Sequence, residues 1–274
     1  MACILLIDNG SFRPDATLRL RQLANALSER TQKTIHPVSL QHVNKINPDL
    51  LNGEPAQVFP EFLKQQLAAG EREFIVLPLF FGESRALTAF IPDQLDELTN
   101  VYGDFQCHVA DVLYPMPDGE PLLTEMLRDH VVQVIHDNHL PAENIVLVDH
   151  GSPAVKVTEV RQDLAKNLQN LLGNHVVIEQ AAMERRQGKD YDFNGDLLGD
   201  WLTMKAEEGQ ASAIVALLFM LPGRHAGMGG DIESICESVM ARYPAFKIYI
   251  TPLIGDHKNL PAILEARLQA VLLQ

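Results

Sequence analysis

An uninterrupted apolar run, Ile4-Leu5-Leu6-Ile7, ends abruptly at Asp8-Asn9-Gly10-Ser11, and the pattern returns as Ile145-Val146-Leu147-Val148 before Asp149-His150-Gly151-Ser152. Such short, β-branched-rich apolar runs bounded by turn residues predict fully buried strands. After the first turn Leu18, Leu20, Leu23, Ala24 and Leu27 gather on one helical face, and after the second Val160, Leu164, Leu168 and Leu171 do the same. Strands that are apolar throughout and alternate with helices predict an α/β fold, its parallel sheets flanked by helices on both faces.

The echo continues downstream. Phe74-Ile75-Val76-Leu77-Pro78-Leu79-Phe80-Phe81-Gly82 matches Ala213-Ile214-Val215-Ala216-Leu217-Leu218-Phe219-Met220-Leu221. Asn9 to Phe80 spans 71 positions and His150 to Phe219 spans 69, so the copies keep step. A last strand and helix recur as Cys107 to Leu113 with Leu122 to Ile135, and as Lys247 to Ile250 with Leu260 to Leu273. A period of about 140 residues is that of a duplicated domain and not of a solenoid. The expected domains are 1–140 and 141–274, divided in the polar stretch Asp137 to Asn144, which is no long flexible linker. Two halves joined so closely are expected to pack about a pseudo-twofold axis, with a cleft between the carboxyl ends of their strands. Such an internal pseudo-dimer is expected to be a monomer.

Composition narrows the function classes. With 22 basic against 36 acidic residues the formal charge is −14, which argues against a nucleic-acid surface. No membrane association is expected: Ala211 to Leu221 is about half a membrane span, and the opening run is too short and lacks the basic flank of a signal peptide. Cys3, Cys107 and Cys236 are widely separated and odd in number, which fits a reducing, cytoplasmic compartment and excludes a CxxC motif.

Three titratable residues fall at expected strand ends in the second half. His150 precedes Gly151, His225 lies in the glycine-rich stretch Gly223 to Gly230, and Glu184 precedes Arg185-Arg186-Gln187-Gly188-Lys189. Taken singly, each histidine reads as well as a turn or packing residue, Glu184 as a solvated charge and the glycines as a flexible loop. A parallel α/β fold changes the weighing by bringing all three to one rim. His130, His136 and His139 are expected at the surface beside the boundary. A hydrolase elbow at Ser152 is disfavoured because Asp149 stands where G-x-S-x-G would begin.

Asp149-His150-Gly151-Ser152-Pro153, Ala182-Met183-Glu184, Leu221-Pro222-Gly223-Arg224-His225-Ala226-Gly227 with Asp231-Ile232, and Pro252-Leu253-Ile254-Gly255 together resemble the class II chelatases, the sirohydrochlorin cobaltochelatase and ferrochelatase family. The resemblance covers both halves. It implies ATP-independent insertion of Co²⁺, Fe²⁺ or Ni²⁺ into sirohydrochlorin or a related tetrapyrrole, the metal being a substrate and no organic cofactor being needed. It also implies that His150 and His225 bind the metal and accept ring protons, with Glu184 a third ligand or acceptor. Imidazole suits both tasks, being a base near neutral pH and an exchangeable ligand for borderline metals. An open ligand set would release the metal where a closed one retains it.

A polycarboxylate substrate requires a locally basic surface on so acidic a chain, for which Arg224 and Arg185, with Arg186 and Lys189, are the candidates, and Ser152 is a further candidate substrate contact. The first half differs at each matching position. Asn9 replaces His150, Gln41 replaces Glu184, and Glu83-Ser84-Arg85-Ala86 replaces the Arg-His pair. Asn and Gln keep hydrogen bonding but lose basicity, so Asn9 and Arg85 are candidate substrate contacts and one metal site per chain is expected. A second reading stays open, that of a non-catalytic tetrapyrrole- or metal-binding relative.

Overall fold

A computed structural model describes residues 2–173 and 176–273. The first half runs β1 (Cys3–Asp8), α1 (Pro14–Thr31), β2 (Ile35–Ser39), α2 (Phe59–Ala68), β3 (Glu73–Pro78), α3 (Ile91–Tyr102), β4 (Gln106–Val109) and α4 (Pro121–Asn138). The second repeats it with β5 (Ile145–Asp149), α5 (Val155–Leu172), β6 (Ile178–Ala182), β7 (Asp196–Leu197), α6 (Leu198–Glu207), β8 (Ser212–Leu217), α7 (Asp231–Arg242), β9 (Lys247–Ile250) and α8 (Leu260–Leu272). The strands form two wholly parallel sheets, ordered β2-β1-β3-β4 and β7-β6-β5-β8-β9. The strand expected from His175 onward is β6; His175 itself lies outside the described residues.

The duplicated α/β architecture expected from the apolar runs is what forms. Leu5, Leu6 and Ile7 are fully buried, as are Val146, Leu147 and Val148, because each central strand carries helices on both faces. One face of the first sheet joins Leu5, Ile7 and Val76 to Phe59, Phe62 and Ile91 from α2 and α3. The matching face of the second joins Val146, Val148 and Val215 to Trp201, Ile232 and Cys236 from α6 and α7.

Packing divides the chain differently from the sequence repeat. One compact unit is Met1–Pro115 with Lys258–Gln274, and the other is Met116–His257. The reason is a reciprocal exchange of the last helix: α8 packs on α1 and β3, while α4 packs on α5 and β8. Arg267 fastens α8 by donating to the carbonyls of Val112 at 2.9 Å and Leu113 at 3.2 Å. His130 on α4 is also corrected, from surface to core, since it is buried with its ring 5.2 Å from that of His257.

Candidate active site

The geometry begins at the carboxyl end of β5. Gly151 holds φ at +87°, and a Cβ there would lie 1.9 Å from the Glu184 carbonyl oxygen, so only glycine lets the two loops touch. Across that contact Met183 N–H donates to Asp149 O at 2.8 Å and Glu184 N–H to His150 O at 3.1 Å. The contact sets the Glu184 side chain beside the imidazole, with Oε1 3.2 Å from His150 Nε2.

A buried network holds this turn from beneath. The Arg161 guanidinium, 2% exposed, pairs with Asp149 Oδ1 and donates to Ala181 O at 3.0 Å and to Asn194 O. Asn194 in turn accepts from Ser152 N–H at 2.9 Å and from Thr158 Oγ1 at 3.3 Å, and donates to Ser152 O at 2.9 Å. Burial pushes the Asp149 carboxyl above its ordinary range against the downward pull of Arg161.

The second histidine comes from the loop after β8. Gly223 N–H donates to Ala226 O at 2.7 Å and Ile232 N–H to His225 O at 3.0 Å, which folds the loop onto the start of α7. There Asp231 Oδ2 lies 2.7 Å from His225 Nδ1. A carboxylate only accepts, so Nδ1 carries a proton, and in the neutral imidazole this leaves the lone pair on Nε2, the usual arrangement of a carboxylate-backed metal-binding histidine. The imidazoles of His150 and His225 stand 4.4 Å apart, edge to face at 66°. His150 differs in that both its nitrogens face oxygen acceptors, Gly151 O at 3.0 Å from Nδ1 and Glu184 from Nε2. Only the imidazolium makes both bonds at once.

The structure thus brings His150, Glu184 and His225 together. Among the described residues, no group of three or more His, Cys, Asp or Glu side chains is arranged to hold a metal ion. Arg224 projects from this site with its side chain 82% exposed, its Nε 3.7 Å from Asp231. Arg185 is held within its own loop, donating to Gly195 O at 3.1 Å and lying 3.3 Å from Asp192. Ser152 builds the turn, its Oγ accepting from Ala154 N–H at 3.0 Å. Asn9 and the exposed Arg85 belong to the other compact unit. There a Cβ on Gly10 would lie 2.0 Å from Gln41 O, so Gln41 occupies the place that Glu184 takes in the second. Arg161 and Asn194 were not singled out from sequence, and Asp231 appeared there only within the motif, without a role. Asp231 had a signal, standing where α7 begins, six residues after His225.

This fold and site define a duplicated α/β protein with a paired-histidine rim. The CbiX family model matches residues 3–134 and 144–271, and the chain belongs to that family. It is 24% identical over 128 residues to the chloroplastic sirohydrochlorin ferrochelatase of Arabidopsis thaliana, a match covering 47% of this chain and 52% of that protein. The chain therefore spans about half the length of that curated relative. Among solved structures it resembles SirB from Bacillus subtilis with Fe³⁺ at a TM-score of 0.67 and 15% identity, over 98% of this chain and 95% of that one. The structure of CbiX, the terminal enzyme for biosynthesis of siroheme in denitrifying bacteria, matches at 0.57 and 12% identity over 98% of both chains. Both likenesses concern the fold. Among the described residues no helix is long and apolar enough to cross a membrane, and Cys3, Cys107 and Cys236 are free thiols.

Proposed function

We propose that the protein inserts a divalent metal, Co²⁺, Fe²⁺ or Ni²⁺, into sirohydrochlorin or a related tetrapyrrole without ATP, at one site per chain formed by His150, His225 and Glu184. The observation that carries this reading is the pair of imidazoles 4.4 Å apart, each backed by a carboxylate.

Metallation removes two protons from the macrocycle and delivers one cation, so the site must accept protons and pass on a metal. The two histidines divide these tasks. His225, its Nδ1–H fixed on Asp231, offers Nε2 to the incoming metal. His150 accepts the first ring proton, because Glu184 and Gly151 O together receive the two N–H bonds of its imidazolium, and the second goes to His225 Nε2, whose lone pair is freed as the metal enters the ring. Glu184, exposed and backbone-tethered, swings from His150 to the metal as a third ligand before the proton arrives. A set of two imidazoles and one carboxylate leaves coordination positions open, which favours transfer over retention. Arg224, the more exposed arginine, meets a substrate carboxylate as a planar fork, with Arg185 and Ser152 behind it. Asn9 and Arg85 contribute substrate contacts without basicity, and the work is done in the cytoplasm by a monomer. The duplicated chain is read as two chelatase-like sequence repeats, 1–140 and 141–274, with the metal site in the second.

The test is anaerobic incubation of the pure protein with sirohydrochlorin and each of Co²⁺, Fe²⁺ and Ni²⁺, followed by absorption. Insertion faster than the protein-free reaction with at least one metal is expected. No acceleration with any of them would defeat the enzyme reading and leave a non-catalytic binding protein.

A further inference from the structure

The turn at Asn9 lacks the arginine that lies beneath its counterpart: Leu20 stands twelve residues after Asp8, where Arg161 stands twelve after Asp149. What else sets this turn apart lies at the surface. Phe12 follows it directly and is 61% exposed. The residue just before the N-cap of a helix, when apolar, often packs on the fourth helical residue. Phe12 holds that place before α1, but the fourth residue is Thr17, so no such staple forms. Phe12 stacks on His42 instead, with ring centroids 4.9 Å apart and an interplanar angle of 27°. Lys45 Nζ stands 5.8 Å from the centre of the Phe12 ring.

His42 reaches this position through an uncommon backbone. Its φ is +72° and its ψ −33°, and across it Val43 N–H donates to Gln41 O at 2.9 Å, a γ-turn of the rare positive-φ form. Residues other than glycine adopt such a φ only where their surroundings impose it. The Gln41 carbonyl is also the group that closes on Gly10, so one contact ties the turn before Phe12 to the loop that carries His42. Both His42 and Lys45 are exposed, and the strain therefore displays a ring instead of filling a core. In the second unit the matching positions are Pro153 and Arg185. Arg185 is turned onto Gly195 and Asp192 there, and no ring pair forms.

Two exposed rings offer stacked or edge contact to a flat conjugated system, and the ammonium beside them offers a partner to an anionic group. A tetrapyrrole with carboxylates at its edge has both features, and a local cation matters for such a substrate on a chain of charge −14. We propose that Phe12, His42 and Lys45 form a tetrapyrrole-binding surface of the first unit, the two rings meeting the macrocycle and Lys45 one of its carboxylates. This rests on the function proposed above and extends it, giving the unit whose turn carries no base the task of holding substrate.

Anaerobic titration of the metal-free full chain with sirohydrochlorin, followed by absorption, tests this. Phe12→Ala should weaken binding about tenfold, the scale of one aromatic contact and the area it buries. Phe12→Trp, which restores a ring, should stay within about threefold of wild type. Lys45→Ala should weaken binding about threefold at low ionic strength and less at high, where an exposed charge is screened. Because Phe12 is exposed, these changes leave the fold intact. In the insertion assay Phe12→Ala should raise KM by about tenfold and lower kcat by less than about twofold, since the contact is common to ground and transition states. Unchanged affinity in Phe12→Ala, or equal weakening in Phe12→Ala and Phe12→Trp, would overturn the proposal. A wild type that binds sirohydrochlorin but inserts no metal would defeat the enzyme reading alone, and one that binds no sirohydrochlorin would defeat both.

Discussion

The turns at Asp8-Asn9-Gly10-Ser11 and Asp149-His150-Gly151-Ser152 have the same backbone and different surroundings. In each, a glycine with positive φ lets the turn touch the loop after the neighbouring strand, at Gln41 in one unit and Glu184 in the other. Above the turn one unit presents an amide and the other an imidazole. Beneath it one keeps an uncompensated aspartate and the other a buried Asp149–Arg161 pair locked to Asn194. Where the imidazole must be aimed, the turn is braced; where there is no base to aim, the brace is missing. Backbone shape is thus maintained by glycine, and chemical competence by what is attached above and below.

The largest expected effect breaks this comparison at its upper face. His150→Ala and His225→Ala should each lower metal insertion by about 10²–10⁴-fold, the scale of lost general-base chemistry. Asn9→Ala should change the same rate by less than about threefold, since an amide neither accepts a ring proton nor binds metal well. Equal losses from all three, in the same absorption assay, would sink the assignment of one working site.

The lower face is tested by making each unit resemble the other. Arg161→Leu strands Asp149 without its partner and should cost about 3–5 kcal/mol in denaturant unfolding, with Asp149→Asn in the same chain recovering much of it. A loss below about 1 kcal/mol would mean that the pair braces nothing. In the first unit burial pushes the Asp8 carboxyl up to about 6, from the ordinary 3.8. A folded-state value above the unfolded one means that stability is greatest below the unfolded value and is lost as pH rises through about 6. Asp8→Asn removes that loss, so its stability relative to wild type should climb between pH 4 and pH 7 by up to about 3 kcal/mol. A pH-independent difference would show that Asp8 is not strained by its charge.

Much of this was legible in the sequence because the strands are apolar on both faces and end at polar turns. Phe80 and Phe219, matched by spacing alone, accept equivalent bonds from Leu113 at 2.9 Å and Ile254 at 2.9 Å. The exchange of α4 and α8 was not legible, because an amphipathic face states that a helix packs and not on which of two similar sheets. Arg161 was hidden for a related reason. An arginine between Val160 and Leu164 reads as a helix's polar side, and its burial depends on Asp149 and on Asn194, 33 residues further on. Glu184 and the two histidines were found because strand-end positions in a parallel sheet converge whatever the intervening chain does.

The smallest effect sharpens the division of labour between the two histidines. Asp231→Asn keeps an oxygen for His225 Nδ1–H but removes the negative charge behind it, so the ring donates less strongly through Nε2. The rate should fall about 10–100-fold, the range seen when the outer partner of a ligating histidine is changed, and the deficit should shrink as metal concentration is raised because the defect lies in capture. Glu184→Gln should behave otherwise, since Gln still meets His150 through its carbonyl oxygen but no longer offsets the imidazolium charge. Its deficit should persist at saturating metal, because more metal does not remedy a weaker proton acceptor. If both variants respond to metal concentration alike, the two histidines act as one ligand pair and the separate role of His150 as proton acceptor is wrong.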